Sequence, residues 1–202
     1  GLYGNPLEDP QTIEHWEACI DACEHFGPAC KVVGGFTGCL SGKPVPDAIP
    51  RFKQVFKKRG IASEPLLAHS YERVMPGRDY VKSIRDFWRV CSGVNEPAKQ
   101  RVVKFLTEVL NTKDFPLTVL DRPIESETAK IVENSYRATI LAFLDEWSLF
   151  AEQNGVDLQK VIKAIKVRPT HSNMIFPGPG IGGYCLPKDG GLGYWAYKHI
   201  LG

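Results

Sequence analysis

No excess of either charge runs through these 202 residues: 25 lysines and arginines face 23 aspartates and glutamates, for a formal net charge of +2. With no long basic run either, neither nucleic acid nor an anionic membrane is expected as the main partner. No apolar stretch approaches the roughly 18–20 residues a membrane span requires. The chain opens on Gly1 with no methionine or apolar leader, so nothing marks secretion and it reads as a processed or truncated fragment. No internal repeat or low-complexity segment stands out. The six cysteines are Cys19, Cys23, Cys30, Cys39, Cys91 and Cys185. In a chain larger than the disulfide-dense scaffolds they are expected as reduced thiols of a cytosolic protein.

What is present fits a soluble globular protein of one domain or two small ones, with 43% apolar and 24% charged residues. Ile13, Trp16, Ile20 and Cys23 recur at helical spacing, so residues 11–26 are expected as a helix ending at Gly27. KVVGGFTG reads as a short strand, and PRFKQVFKKRG as a second helix. EPLLAHSYERV, WRVCSGV and PLTVL read as three strands, with an amphipathic helix over 96–110 that tolerates Pro97 in its first turn. From Ile124 to Gly155 the sequence holds no internal glycine or proline. Ile131, Tyr136, Ile140, Phe143, Leu144, Trp147 and Phe150 make it a long helix serving as a core or dimer element, with Gly155 as its stop. VDLQKVIKAIKVR predicts a short helix, and a last one is expected from about Pro187.

Three clusters carry candidate chemistry. In GPGIGGYCLPKDGG, Gly178 to Gly183 spell G-x-G-x-x-G, but the segment before them is polar and irregular and no acidic residue follows at the required distance. It is not read as a dinucleotide fingerprint. Its glycines let a ligand approach the main chain. Cys185, opening a helix, is placed for thiolate chemistry, with Lys188 and Asp189 close by; a structural cysteine at a turn is the competing reading. Glu127, Lys130 and Asn134 fall at i, i+3 and i+7, one face of a helix, where a surface ion pair beside an amide is the competing reading. In HSYERVMPG, Glu72 lies at a strand end, where chemistry gathers in α/β folds.

GIGGYCLPKD, ETAKIVEN and HSYERVMPG together resemble the UDP-glucose/GDP-mannose dehydrogenases, the nucleotide-sugar 6-dehydrogenases, over about residues 59–202. The resemblance implies an α/β fragment: the end of a Rossmann-like NAD-binding domain over 59–122, then a mainly helical central dimerisation domain over 123–202 with one long helix. It implies two NAD-dependent oxidations of a sugar C6 alcohol to a carboxylate, with Cys185 as nucleophile. Lys130 and Asn134 would hold the oxyanion. Asp189 would assist proton transfer, and Glu72 would activate water. Gly178, Gly180, Ile181, Gly182, Gly183 and Tyr184 would wrap the nucleotide-sugar, and Arg168 would reach a neighbouring subunit's site. It further implies a homodimer through the 124–155 helix, a cytoplasmic location and no metal.

Residues 1–58 depart from that family. GNPLEDP, EHWEACIDACEHFG and KVVGGFTGCLSGKPVPDAIPRFKQVF resemble part of a sugar isomerase/epimerase barrel of the xylose-isomerase type. His15 and His25 fall in the helical region, where barrel metal ligands are not expected; His15, Cys19 and Cys23 lack a complete four-ligand zinc set and are taken as core or helix-surface residues. Thr37 is a poor match for the dehydrogenases' threonine-bearing strand. The chain therefore reads as composite, joined near Lys57–Gly60, and as inactive alone for want of the NAD fingerprint. A sugar isomerase or epimerase fragment and a non-catalytic dimerisation module are the rival functions.

Overall fold

The computed structural model describes residues 50, 52–54, 56–58, 60–71, 73–75 and 77–200. The expected helix over 11–26, the strand KVVGGFTG and most of the barrel-like segment lie outside them. Helical backbone at 52–54 and 56–58 agrees with the helix expected in PRFKQVFKKRG.

The three expected strands form one small mixed sheet in the order β1–β2–β3. β1 (Ala68–Tyr71) runs antiparallel to β2 (Val90–Gly93), pairing Ala68 with Gly93 and Tyr71 with Val90. β3 (Thr118–Val119) runs parallel to β2. All four residues of β2 are buried. A central strand covered on both faces has no polar alternation, which is why VCSG reads as a bare run. The link from β1 to β2 carries α1 (Tyr80–Arg85), and the crossover from β2 to β3 carries α2 (Glu96–Val109), as a parallel connection requires.

α2 begins where the sequence signals a start. The Asn95 side chain accepts a hydrogen bond from the Ala98 amide at 2.9 Å, and Pro97 occupies the first turn, where its missing N–H costs nothing. The strand end and the helix start lie so close that a Cβ on Gly93 would stand 2.3 Å from the Lys99 backbone nitrogen. Only glycine lets the chain turn from β2 into α2 at this distance.

α3 (Pro123–Asn154) is a single 32-residue helix, about 48 Å long at 1.5 Å per residue. Pro123 opens it, and the Glu125 carboxylate reaches back to the Arg122 and Asp121 amides at 3.0 Å each. Those amides would otherwise lack a partner at a helix N-terminus. Gly155 ends it at φ 62°, the left-handed geometry that glycine adopts without steric cost. Its first turn packs on β1 and β2, and its N-terminal half packs along α5 (Cys185–Ile200). Gly193 of α5 makes that approach close: a Cβ there would touch Ile131 Cγ2 and Ser135 Oγ, each at 3.5 Å. Between them, α4 (Leu158–Ile165) is capped by Asp157 and buries Ile162. A short 3-10 turn follows at Pro169–His171.

Few residues of α3 are buried: Ser126, Glu127, Ile131, Leu144 and Ala151. Tyr136, Phe143, Trp147 and Phe150 remain exposed, with Trp147 edge-on to both Phe143 (6.3 Å) and Phe150 (5.5 Å). Among the described residues, no helix is long and apolar enough to cross a membrane.

Candidate functional site

The site forms where the first turn of α5 meets the N-terminal half of α3. Asp189 is 1% exposed, deep for a carboxylate. A buried charge persists only when it is paired and hydrogen-bonded. Both conditions hold here. The Asn134 Nδ2 of α3 donates to Asp189 Oδ2 at 2.5 Å, and the Lys188 ammonium pairs with Asp189 Oδ1. Lys188 is therefore engaged by its neighbour. Asn134 uses one amide N–H on Asp189 and has a second to offer.

Cys185 is exposed at the first position of α5, two residues earlier than the expected helix start. Pro187 falls within that first turn, where proline is tolerated, and the Lys188 amide closes the turn on Tyr184 O at 3.2 Å. Cys185 and Asp189 stand i, i+4 on one face of α5. The thiol thus lies one helical turn from a carboxylate fixed to α3.

Lys130 sits on α3 one turn before Asn134, with its ammonium 5.6 Å from the centre of the Tyr71 ring at the end of β1. Glu127, a further turn back, is 1% exposed, so the ion-pair face read from its spacing is not a solvent face at that end. Glu72 lies outside the described residues. In the glycine loop, Gly180 (φ 89°) and Gly183 (φ 77°) take left-handed backbone, while Ile181, Gly182 and Tyr184 face solvent. Gly178 is also exposed. Arg168 stands exposed at the start of the 3-10 turn, and no hydrogen bond or ion pair joins it to Cys185 or Asp189.

Several residues here carried no sequence signal. The Ser126 hydroxyl, in the first turn of α3, donates to Pro123 O at 3.0 Å. Having one proton, it accepts from Ser92 Oγ and His69 Nδ1, each at 2.7 Å, which assigns the His69 proton to Nδ1. This buried chain bolts β1 and β2 to α3. Arg73 makes a second tie: its Nε donates to both Glu133 oxygens at 2.9 and 3.0 Å, its Nη1 to Trp88 O at 2.9 Å and its Nη2 to the Tyr71 hydroxyl at 3.0 Å. Burial pushes the Tyr71 phenol above its ordinary value, against the pull of Arg73 and with added push from Glu133.

The residues of the glycine loop do not fit a dinucleotide. No strand lies within 172–184, and the Asp145 carboxylate would be 3.6 Å from a Cβ on Gly180, a negative charge where a pyrophosphate would need a positive environment. Among the described residues, no group of three or more His, Cys, Asp or Glu is placed to hold a metal ion. A shallow depression bordered by Ser148, Glu152, Asp157 and Gln159 lies at the far end of α3, and none of the candidate site residues lines it.

Residues 124–198 match the central domain of the UDP-glucose/GDP-mannose dehydrogenase family. UDP-N-acetyl-D-mannosamine dehydrogenase of Pyrococcus horikoshii is 35% identical over 125 residues, which is 61% of this chain and 28% of that protein. The chain thus spans less than a third of the length of that relative. The solved structure of UDP-D-ManNAc dehydrogenase from the same organism superposes with a TM-score of 0.60 at 26% identity, covering 76% of this chain and 35% of that one. NDP-N-acetyl-D-galactosaminuronic acid dehydrogenase of Methanosarcina mazei Go1 shares the fold, with a TM-score of 0.71 at 24% identity, covering 99% of this chain and 42% of that one.

Proposed function

We propose, on the premise that residues 124–198 of this chain belong to the UDP-glucose/GDP-mannose dehydrogenase family as its central domain, that the chain carries the covalent step of a nucleotide-sugar 6-dehydrogenase. One observation supports this most directly: Asn134 and Asp189 are bonded across two helices, one turn from the exposed thiol of Cys185.

In this reading a C6 aldehyde enters beside the glycine loop. The Cys185 sulfur bonds to C6, the carbonyl π bond breaks, and its electrons pass to oxygen as a thiohemiacetal forms. The free N–H of Asn134 and the Lys130 ammonium hold that oxygen. The thiol proton leaves toward Asp189, the nearest buried base. NAD, named by family resemblance, supplies the hydride acceptor, and no residue described here is assigned to it. Loss of the C6 hydride would leave a thioester, and hydrolysis would then break its C–S bond: water adds to the thioester carbonyl, Glu72 takes one proton from that water, and Asp189 returns the thiol proton to the departing sulfur as the acid leaves and ionises to the carboxylate. The substrate is a nucleotide-sugar, a class in keeping with the relatives' names.

The same reading divides the chain into 1–58, 59–122 and 123–202, places it in the cytoplasm, and pairs two copies through the exposed aromatic face of α3. A purely structural dimerisation module would need that face and not the thiol. The two are separated by 13C NMR of the purified chain mixed with a nucleotide-sugar 6-aldehyde labelled at C6. A new thiohemiacetal carbon signal is expected, absent in Cys185→Ser. An equal signal in both, or none in either, overturns the covalent role.

A further inference from the structure

Lys130 is a long, flexible side chain, and four rotatable bonds would scatter its ammonium unless something holds it. The structure offers a holder in Tyr71. Its ring is 2% exposed, and its face carries the Lys130 ammonium at 5.6 Å and the Arg73 guanidinium at 5.1 Å. The electron-rich face of an aromatic ring attracts cations, more so when shielded from water. The ring itself cannot swing. Its hydroxyl accepts from Arg73 Nη2, and Arg73 is in turn pinned to Glu133 and Trp88 O. Glu133 stands three residues after Lys130 on α3, so ring, guanidinium and carboxylate form a closed brace between β1 and the helix that bears Lys130. Glu133 also offsets the repulsion between the two cations.

We propose that Tyr71 is a positioning residue for Lys130, the face of its buried ring fixing the ammonium at the oxyanion position. This rests on the role given to Lys130 above. The phenol, pushed up by burial, stays neutral at physiological pH, so the hydroxyl keeps accepting from Arg73 while the ring faces Lys130.

The test uses the purified chain with 13C-labelled lysine, Lys130 being assigned by Lys130→Arg. A methylene above a ring is shifted upfield by the ring current. The Lys130 ε-methylene is expected upfield of the exposed lysines in the unsubstituted chain and in Tyr71→Phe, which keeps the ring. In Tyr71→Leu it is expected to move back among them. Aldehyde capture at Cys185 is expected to slow about tenfold in Tyr71→Leu and to stay within about twofold in Tyr71→Phe. An unshifted Lys130 in the unsubstituted chain overturns the proposal without any variant, so a Tyr71→Leu chain that fails to fold does not protect it. Equal capture by Tyr71→Leu and the unsubstituted chain also overturns it. Capture absent even in the unsubstituted chain, with Lys130 shifted, sinks the covalent reading and Tyr71's part in it, and leaves the brace as a structural fact.

Discussion

Asn134 and Asp189, 55 residues apart in sequence, are joined side chain to side chain at 2.5 Å, and through them α3 holds the turn that presents Cys185. The bond has two consequences. It satisfies a carboxylate that water cannot reach, and it sets the orientation of the amide proposed to face the substrate.

Asn134→Ala should therefore cost both stability and chemistry. Loss of a hydrogen bond to a buried charged group is worth about 1.5–3 kcal/mol, with Lys188 left as the remaining partner of Asp189. Urea unfolding should show the unfolding free energy fall by that amount, with an unchanged slope and a lower midpoint. If the midpoint stays put, the Asn134–Asp189 bond carries no weight in the fold.

High pH should loosen the molecule in two stages. Burial raises the Cys91 thiol above its ordinary 9.0, and it raises Tyr71 above 10.0. A group with a raised folded-state value contributes its stability fully below the unfolded value and loses it as pH climbs through the folded one. Melting temperature should thus begin to fall above about pH 9 from Cys91 and steepen above about pH 10 from Tyr71. Cys91→Ala should remove the first stage, and Tyr71→Phe the second. Thermal scans from pH 8 to pH 11 check this, and a flat profile in the unsubstituted chain would contradict it.

Trp147 is 46% exposed yet edge-on to two aromatic neighbours on the same helix face. Trp147→Glu should leave the fold intact, with a stability change within about 0.5 kcal/mol, because it lies outside the core. It should abolish dimers by placing a charge in an apolar contact. Sedimentation equilibrium decides: a chain that is monomeric before the substitution, or dimeric after it, rules out this face as the interface.

The ends of the elements were legible wherever a side chain or a backbone angle forces them. Pro97 marked the first turn of α2, and Gly155 marked the end of α3. Cys185 was legible as a candidate because its neighbours 180–189 sit within one loop and one turn. The start of α5 was misplaced by two residues because Pro187 looks like a first position and is in fact inside the first turn. Which face of α3 is covered could not be read from periodicity: Leu144 is buried while Phe143 and Trp147, equally apolar, are not. The brace was hidden for a plainer reason. Arg73 and Glu133 are 60 residues apart, and no local spacing joins residues that meet only after folding. Ser126 looked like an ordinary polar residue in a first turn, and only the sheet packed over it turns its hydroxyl into a junction.

Under the proposed roles, the two ends of α3 would do different work on one rod. Lys130 and Phe150 are twenty residues apart, roughly 30 Å along an uninterrupted helix. No joint lies between them to absorb a misalignment. A tilt imposed at the aromatic end is therefore delivered, undamped, to the ammonium and the amide at the other, so that the angle at which two copies meet would become part of the tuning of each catalytic centre.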